Sequence, residues 1–283
     1  MEVTRTVAAA RDACDRARSR GQSVGFVPTM GALHDGHTSL VKETRAECDF
    51  VVVSIFVNPL QFGPSEDFAA YPRDEQSDLQ ALEAIGADMV FLPSVEEMEP
   101  VRPPEVLVDP GALGERLEGA SRPGHFRGVA TVVAKLFNVV GPCRANFGEK
   151  DAQQLALVRR LVRDLGFPVE IVACPTVREP DGLAMSSRNA YLSREERAAA
   201  GCLFLALSEA AEMVRGGERD ATKLVALMAR QIGAASVPQL DYAAIVDEET
   251  FEEVREIVRP ARALVAARFG RARLIDNLAL PLP

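Results

Sequence analysis

The run Phe50-Val51-Val52-Val53-Ser54-Ile55-Phe56-Val57 is almost continuously apolar and largely β-branched. A strand with one wet face alternates polar with apolar residues; a strand that does not alternate is buried on both faces. Both faces are covered when helices pack on each side of a parallel sheet. The flanking pattern agrees. Helical segments are expected at 7–20, 37–47, 73–85, 128–140 and 153–165. Strand-like runs are expected at 24–28, 88–93, 105–109, 145–148 and 169–174. Strands alternating with helices over 1–175 predict an α/β fold, a Rossmann-like doubly wound parallel sheet.

The pattern changes after about residue 177. Ser193-Arg194-Glu195-Glu196 is a capping box opening a long helix, and Asp220 caps a second over 221–233. Three strand-like runs follow at 240–246, 262–268 and 271–275. Two domains are expected: 1–176, and a smaller α+β domain over 177–283, with the boundary in the loop Glu179-Pro180-Asp181-Gly182. Ligands of open parallel sheets bind outside the carboxyl ends of the strands, so the crevice there is the default site.

The chain has 283 residues, 47% hydrophobic and 26% charged, with a net charge of −9. That charge argues against broad nucleic-acid binding and leaves room for a locally positive pocket. Five scattered cysteines, Cys14, Cys48, Cys143, Cys174 and Cys202, form no CxxC pair and read as reduced thiols. No leader-like apolar segment opens the chain, and no apolar run reaches the roughly 18 residues of a membrane span. A cytoplasmic protein with no membrane partner is expected.

Two of the three histidines stand three residues apart in Pro28-Thr29-Met30-Gly31-Ala32-Leu33-His34-Asp35-Gly36-His37. A strand precedes this stretch and a helix follows. A helix start offers unpaired N–H groups and a partial positive charge, which suits phosphate. Two imidazoles there can hydrogen-bond oxygens of a phosphate under attack. Most isolated pairs of this spacing are ordinary surface or core histidines.

Four further stretches carry polar chemistry. Phe56-Val57-Asn58-Pro59-Leu60-Gln61-Phe62 puts two neutral amides after the apolar strand, fit to grip a hydroxyl and a carboxylate, or simply to cap the strand. Ser121-Arg122-Pro123-Gly124-His125-Phe126-Arg127 sets the third histidine between arginines, an anion-binding loop or a solvated one. Asn146-Phe147-Gly148-Glu149-Lys150-Asp151-Ala152-Gln153-Gln154 puts a mobile cation at a helix start, apt for a phosphate, with Asp151 as a cap or a ribose partner. Asp181-Gly182-Leu183-Ala184-Met185-Ser186-Ser187-Arg188-Asn189 offers two hydroxyls and a guanidinium that can clamp a pyrophosphate, or serve as a linker.

Taken together and in order, these strings resemble the pantothenate synthetase (pantoate–β-alanine ligase) family of the nucleotidylyl-transferase superfamily, which carries a His-x-Gly-His motif. The match is dense up to residue 190 and thinner beyond it, through Arg273-Leu274-Ile275-Asp276-Asn277. Where class I aminoacyl-tRNA synthetases carry the lysines of a Lys-Met-Ser-Lys-Ser loop, this chain has Ala184 and Ser187, with Arg188 as the cation.

The resemblance implies an ATP-dependent, AMP-forming ligation of pantoate to β-alanine through pantoyl adenylate. It implies catalytic roles for His34, His37, Lys150 and Arg188. ATP contacts would come from Met30, Gly31, Ala32, Leu33, His34, Asp35, Gly36, His37, Gly148, Glu149, Lys150, Asp151, Val177, Met185, Ser186, Ser187 and Arg188. Substrate contacts would come from Gln61, Gln154, Asn58, Arg122 and His125. Mg²⁺ would bridge phosphates mainly through water, with Asp78 as a candidate protein ligand, and 62–72 is the candidate lid. The family also suggests a homodimer and a C-terminal domain that closes the site. Rival readings are another nucleotidyltransferase of the same superfamily and a non-catalytic nucleotide-binding module.

Overall fold

A computed structural model describes residues 1–281 except Ser65, Asp67 and Ser236. Two residues of the expected lid, Ser65 and Asp67, thus lie outside the described residues. The chain divides into two compact units. The first comprises 1–149 with 153–175, and the second comprises 150–152 with 176–283.

The first unit is a six-stranded, all-parallel sheet. Its strands are β1 (Glu2–Thr4), β2 (Val24–Thr29), β3 (Phe50–Ile55), β4 (Met89–Phe91), β5 (Cys143–Gly148) and β6 (Val169–Cys174), in the order β1-β4-β3-β2-β5-β6. Its helices are α1 (Val7–Ser19), α2 (Asp35–Glu47), α3 (Glu75–Ala84), the short α4 (Val95–Met98) and α5 (Glu118–Ser121), α6 (His125–Val140) and α7 (Ala152–Leu165). Every residue of the Val51–Ile55 run is buried. Val51, Val53 and Ile55 join Val27, Val41, Leu82 and Val90 in one cluster. On β2, Phe26 meets Phe137 of α6 edge-on at 6.5 Å. The missing alternation therefore does reflect burial on two faces.

The chain runs outward from β2 to β3 and β4 on one side, then resumes at β5 on the other. That reversal between β2 and β5 is the topological switch point of a doubly wound sheet. The turn after β2 carries His34 and His37, and β5 ends at Gly148, two residues before Lys150.

The expected strand at 105–109 does not form. Val106 is 83% exposed, and Pro103, Pro104 and Pro110 around it have no N–H to give a ladder. The Val108 N–H donates instead to Thr131 Oγ1, at 2.9 Å.

The second unit has a three-stranded antiparallel sheet, β7 (Gln239–Asp247), β8 (Ala261–Phe269) and β9 (Ala272–Leu280), with helices α8 (Arg194–Ala200), α9 (Cys202–Arg215) and α10 (Ala221–Ala234). The capping box at Ser193 and Glu196 forms. The single long helix expected after it is divided at Gly201 into α8 and α9. Leu207, Leu224, Met228, Ile245 and Phe269 are completely buried in this unit's core.

Candidate active site

The turn after β2 is held from three directions. Thr29 Oγ1 donates to Ser54 O at 2.8 Å and accepts from Gly31 N at 3.2 Å. Asp78, buried on α3, accepts from Ala32 N through Oδ2 at 2.9 Å and from Leu33 N through Oδ1 at 2.8 Å. Gly31 sits at φ +80°, and a Cβ there would lie 2.8 Å from Asp78 Oδ2. Ala32 is also held at positive φ, 51°. Strain of this kind costs about 1–3 kcal/mol and persists where surroundings over-determine it. The Asp78 carboxylate supplies that determination.

Helix α2 begins at Asp35, two residues before the expected start, because His34 is its N-cap. His34 Nδ1 accepts from Gly36 N at 3.1 Å, as a cap asparagine would. With Nδ1 as acceptor, the neutral ring carries its proton on Nε2. The His37 ring lies against it, centroids 4.1 Å apart and planes at 38°. Both imidazoles thus stand at the first turn of α2, half-buried.

Beyond β3, Asn58 is 1% exposed and fully engaged. Its Nδ2 donates to Gln61 Oε1 at 3.1 Å and to Gly128 O at 3.2 Å, while its Oδ1 accepts from Leu60 N at 3.3 Å. It is the cap of the 3₁₀ turn Pro59–Gln61 and orients the Gln61 amide. Gln61 Nε2 reaches back to Met30 Sδ at 3.2 Å, so the turns after β2 and β3 meet.

Arg122 and His125 face the same turn from the side. Arg122 grips Glu66 with two hydrogen bonds, 2.6 and 2.7 Å, and donates to His125 Nε2 at 3.1 Å. His125 Nδ1 donates to Gln61 O at 2.9 Å. Expected as substrate contacts, Asn58, Arg122 and His125 have their polar atoms occupied in supporting the segment that bears Gln61. Burial, reinforced by the Arg122 charge, pushes the His125 pKa down to about 4.

This shift has a testable sign. Unfolded, the imidazole titrates near its ordinary 6.5. As pH falls from there, the unfolded chain takes up a proton that the folded one refuses. Stability is therefore lost progressively down to about 4 and no further below it. A shift of this size corresponds to about 3 kcal/mol. Urea unfolding at several pH values should show a shallower acid slope for His125→Gln, which keeps an amide donor. Parallel slopes would rule out the neutral, buried ring. Arg122, Glu66 and Glu118 face position 125 in both proteins, so their own titration does not distinguish them.

On α7, Gln153 is buried and binds the carbonyls of Leu113 and Arg116, each at 2.9 Å. Its neighbour Gln154, the residue singled out in the sequence, is only half-buried.

In the second unit, Lys150 keeps about one-fifth of its side chain exposed, with Nζ 3.7 Å from Asp151 Oδ1. The segment from Val177 to Met185 is an ordered hairpin. Met185 N donates to Val177 O, Glu179 N donates to Leu183 O, and Arg178 pairs with Ala184. Ala184 is buried there, which accounts for a small residue where a synthetase-type loop has lysine. Ser186 Oγ then accepts from Arg188 N at 3.3 Å and caps the turn Ser187–Tyr191.

The candidate metal ligand Asp78 already serves the histidine turn. Both Asp78 oxygens take main-chain N–H groups, and the described residues contain no group of three His, Cys, Asp or Glu that could hold one. Asp78 clamps the turn through both carboxylate oxygens, and burial pushes its pKa up against the lowering effect of the Leu33 and Ala32 N–H groups. The cysteines are free thiols, and burial pushes Cys14 and Cys202 up to about 11 and Cys143 up to about 12, away from reactivity. No helix among the described residues is long and apolar enough to cross a membrane.

A doubly wound sheet with a histidine-capped helix at its switch point defines an α/β protein of the nucleotide-handling kind. The family model described as pantoate-beta-alanine ligase matches residues 2–279, and the chain belongs to that family. It is 55% identical over 278 residues to a pantothenate synthetase of Rubrobacter xylanophilus, covering 96% of each chain. A solved pantothenate synthetase from Thermus thermophilus superposes with TM-score 0.92 at 51% identity, covering 99% of this chain and 100% of that one. A pantoate-beta-alanine ligase from Francisella tularensis, complexed with beta-gamma ATP and beta-alanine, matches at TM-score 0.80 and 34% identity, covering 99% of this chain and 97% of that one.

Proposed function

We propose that this chain joins pantoate to β-alanine at the expense of ATP, in two steps. The pantoate carboxylate attacks the α-phosphorus, forming an acyl phosphate bond and releasing pyrophosphate. The β-alanine amine then attacks the acyl carbon, an amide forms, AMP leaves with the acyl oxygen, and the amine gives up its proton. Adenylation supplies the leaving group that a free carboxylate lacks. The reading is carried by a family match that runs almost the length of the chain and includes the capped His34–His37 turn.

No side chain forms a covalent bond in this scheme. Catalysis is positioning and charge stabilisation. Nε2–H of His34 and the His37 ring donate to phosphate oxygens, with the N–H groups of the Met30–His37 turn beside them. Lys150 neutralises charge that develops on the phosphates. Ser186, Ser187 and Arg188 hold the departing β- and γ-phosphates, and Gly148, Glu149, Asp151, Val177 and Met185 line the nucleotide. Gln61 and Gln154 read the hydroxy acid by its hydroxyl and carboxylate, without a net charge. Asn58, Arg122 and His125 hold Gln61 in place. Mg²⁺ belongs to the substrate, arriving on the phosphates and held largely through water. A homodimer in the cytoplasm, with the second unit closing over the substrates, completes the reading.

The purified chain should convert ATP, pantoate and β-alanine to pantothenate, AMP and pyrophosphate in equal amounts. Pantoate alone should drive ATP–pyrophosphate exchange. Lys150→Ala should lower that exchange about 100-fold, the usual effect of removing one stabilising donor. Release of ADP, a dinucleotide product, or no turnover would refute the proposal. Light scattering on the eluting protein checks the dimer.

A further inference from the structure

Arg178, Asp276, Asn277 and Arg262 form a connected polar cluster in the second unit that the proposed chemistry does not use. Asp276 and Asn277 are consecutive on β9, 2% and 4% exposed. Asp276 takes two parallel hydrogen bonds from Arg178, at 2.6 and 2.9 Å. Arg178 also donates to Gly182 O at 2.9 Å and to Asn277 O at 3.3 Å, and its guanidinium lies 4.2 Å from the centre of the Phe204 ring. Gly182 is at φ +90°, and a Cβ there would stand 2.1 Å from that same ring. The hairpin that leads into Met185 and Ser186 is therefore tied to β9 at a single guanidinium.

Asn277 extends the tie to Lys150. Its Oδ1 accepts from Arg262 Nη1 at 2.6 Å, and Arg262 in turn reaches Glu248 at 2.5 Å. A guanidinium only donates, so the amide has one possible orientation. Its Nδ2 must then point the other way, where it donates to Lys150 O at 2.8 Å. Lys150 to Ala152 group with the second unit. Buried charge in a small sheet is a poor way to gain stability, and apolar residues of similar volume often serve as well or better. Placement is the better reason for keeping these groups.

We infer that Asn277 is a positioning residue: its amide, oriented by Arg262, fixes the main chain of Lys150 to the strand that also anchors the Met185–Arg188 loop through Arg178 and Asp276. This rests on the reading that Lys150 acts on the phosphates. The two cations of the reaction would then be set by neighbouring residues of one strand.

The test is a double-mutant cycle on pantoate-driven pyrophosphate exchange. Asn277→Asp keeps the acceptor toward Arg262 and replaces the donor toward Lys150 O by a second acceptor. It should lower kcat about tenfold or more, with the pantoate KM within about twofold, as for a catalytic group displaced by a fraction of an ångström. In the Lys150→Ala background the same change should have no further effect beyond about twofold. If the two losses simply multiply, Asn277 acts on the fold and not through Lys150, and the inference falls alone. If Lys150→Ala exchanges at the wild-type rate, the reading of Lys150 falls and takes the inference with it. Should Asn277→Asp not fold, Asn277→Ser in the same cycle decides, on the same criteria.

Discussion

Substituting either His34 or His37 by alanine should reduce pantoate-driven ATP–pyrophosphate exchange by about 10²–10³-fold, the effect of deleting one preorganised donor at a developing charge. The geometry says what must be controlled. His34 caps α2 through Nδ1, which accepts from Gly36 N, and on the proposed reading it also donates to phosphate through Nε2. Alanine removes both functions, and the lost cap alone destabilises by about 1 kcal/mol. His34→Asn separates them. Asparagine is a preferred cap, so the helix start and the thermal midpoint should be restored. It is shorter than imidazole, so the exchange rate should stay low. His37→Ala leaves the His34 cap in place, so it should lower the rate with little change in midpoint. A His34→Asn enzyme exchanging at close to the wild-type rate would mean that the ring is there only for α2, and the phosphate role would be abandoned.

Much of this was open to reading along the chain, and the reasons are local. An unalternating run such as Val51–Ile55 can be satisfied only between two helical layers, and it is. The histidine turn was visible because strand, glycine, histidines and helix follow one another within a dozen residues. Features that depend on distant partners were not visible. Arg122 and His125 read as an anion-binding loop, yet their partners Glu66 and Gln61 O lie about sixty residues away in the chain, at separations of 56 and 64. An amide after a strand suits either substrate or cap, so Asn58 alone does not announce its contact with Gly128 O, 70 residues away. Arg178 and Asp276 are 98 residues apart and nothing periodic announces the pair. The run 105–109 had strand composition but no sheet edge to join, which composition cannot disclose. Which of the neighbours Gln153 and Gln154 turns inward is set by the fold, where Gln153 is buried and Gln154 half-buried.

Gly128→Ala should strongly damage pantoate binding for the sake of one methyl group. Gly128 faces the turn that bears Gln61. A Cβ there would sit 2.2 Å from Leu60 O, 2.4 Å from Leu60 C and 2.6 Å from Gln61 N. All three are backbone atoms, so no side chain can rotate out of the way. Either α6 or the 59–61 turn must move. Overpacking of this kind costs about 1–3 kcal/mol. Movement of the turn would also stretch the Asn58–Gly128 hydrogen bond and the His125–Gln61 bond that hold Gln61. A displacement near 1 Å is enough to cost about 100-fold in a positioned site. Steady-state kinetics should therefore show the pantoate KM raised at least about tenfold and kcat lowered, with a smaller change in the ATP KM, because the histidine turn touches Gln61 only through Met30 Sδ and is otherwise held by Thr29 and Asp78. A Gly128→Ala enzyme that is destabilised but binds pantoate normally would show that Gln61 does not read the hydroxy acid.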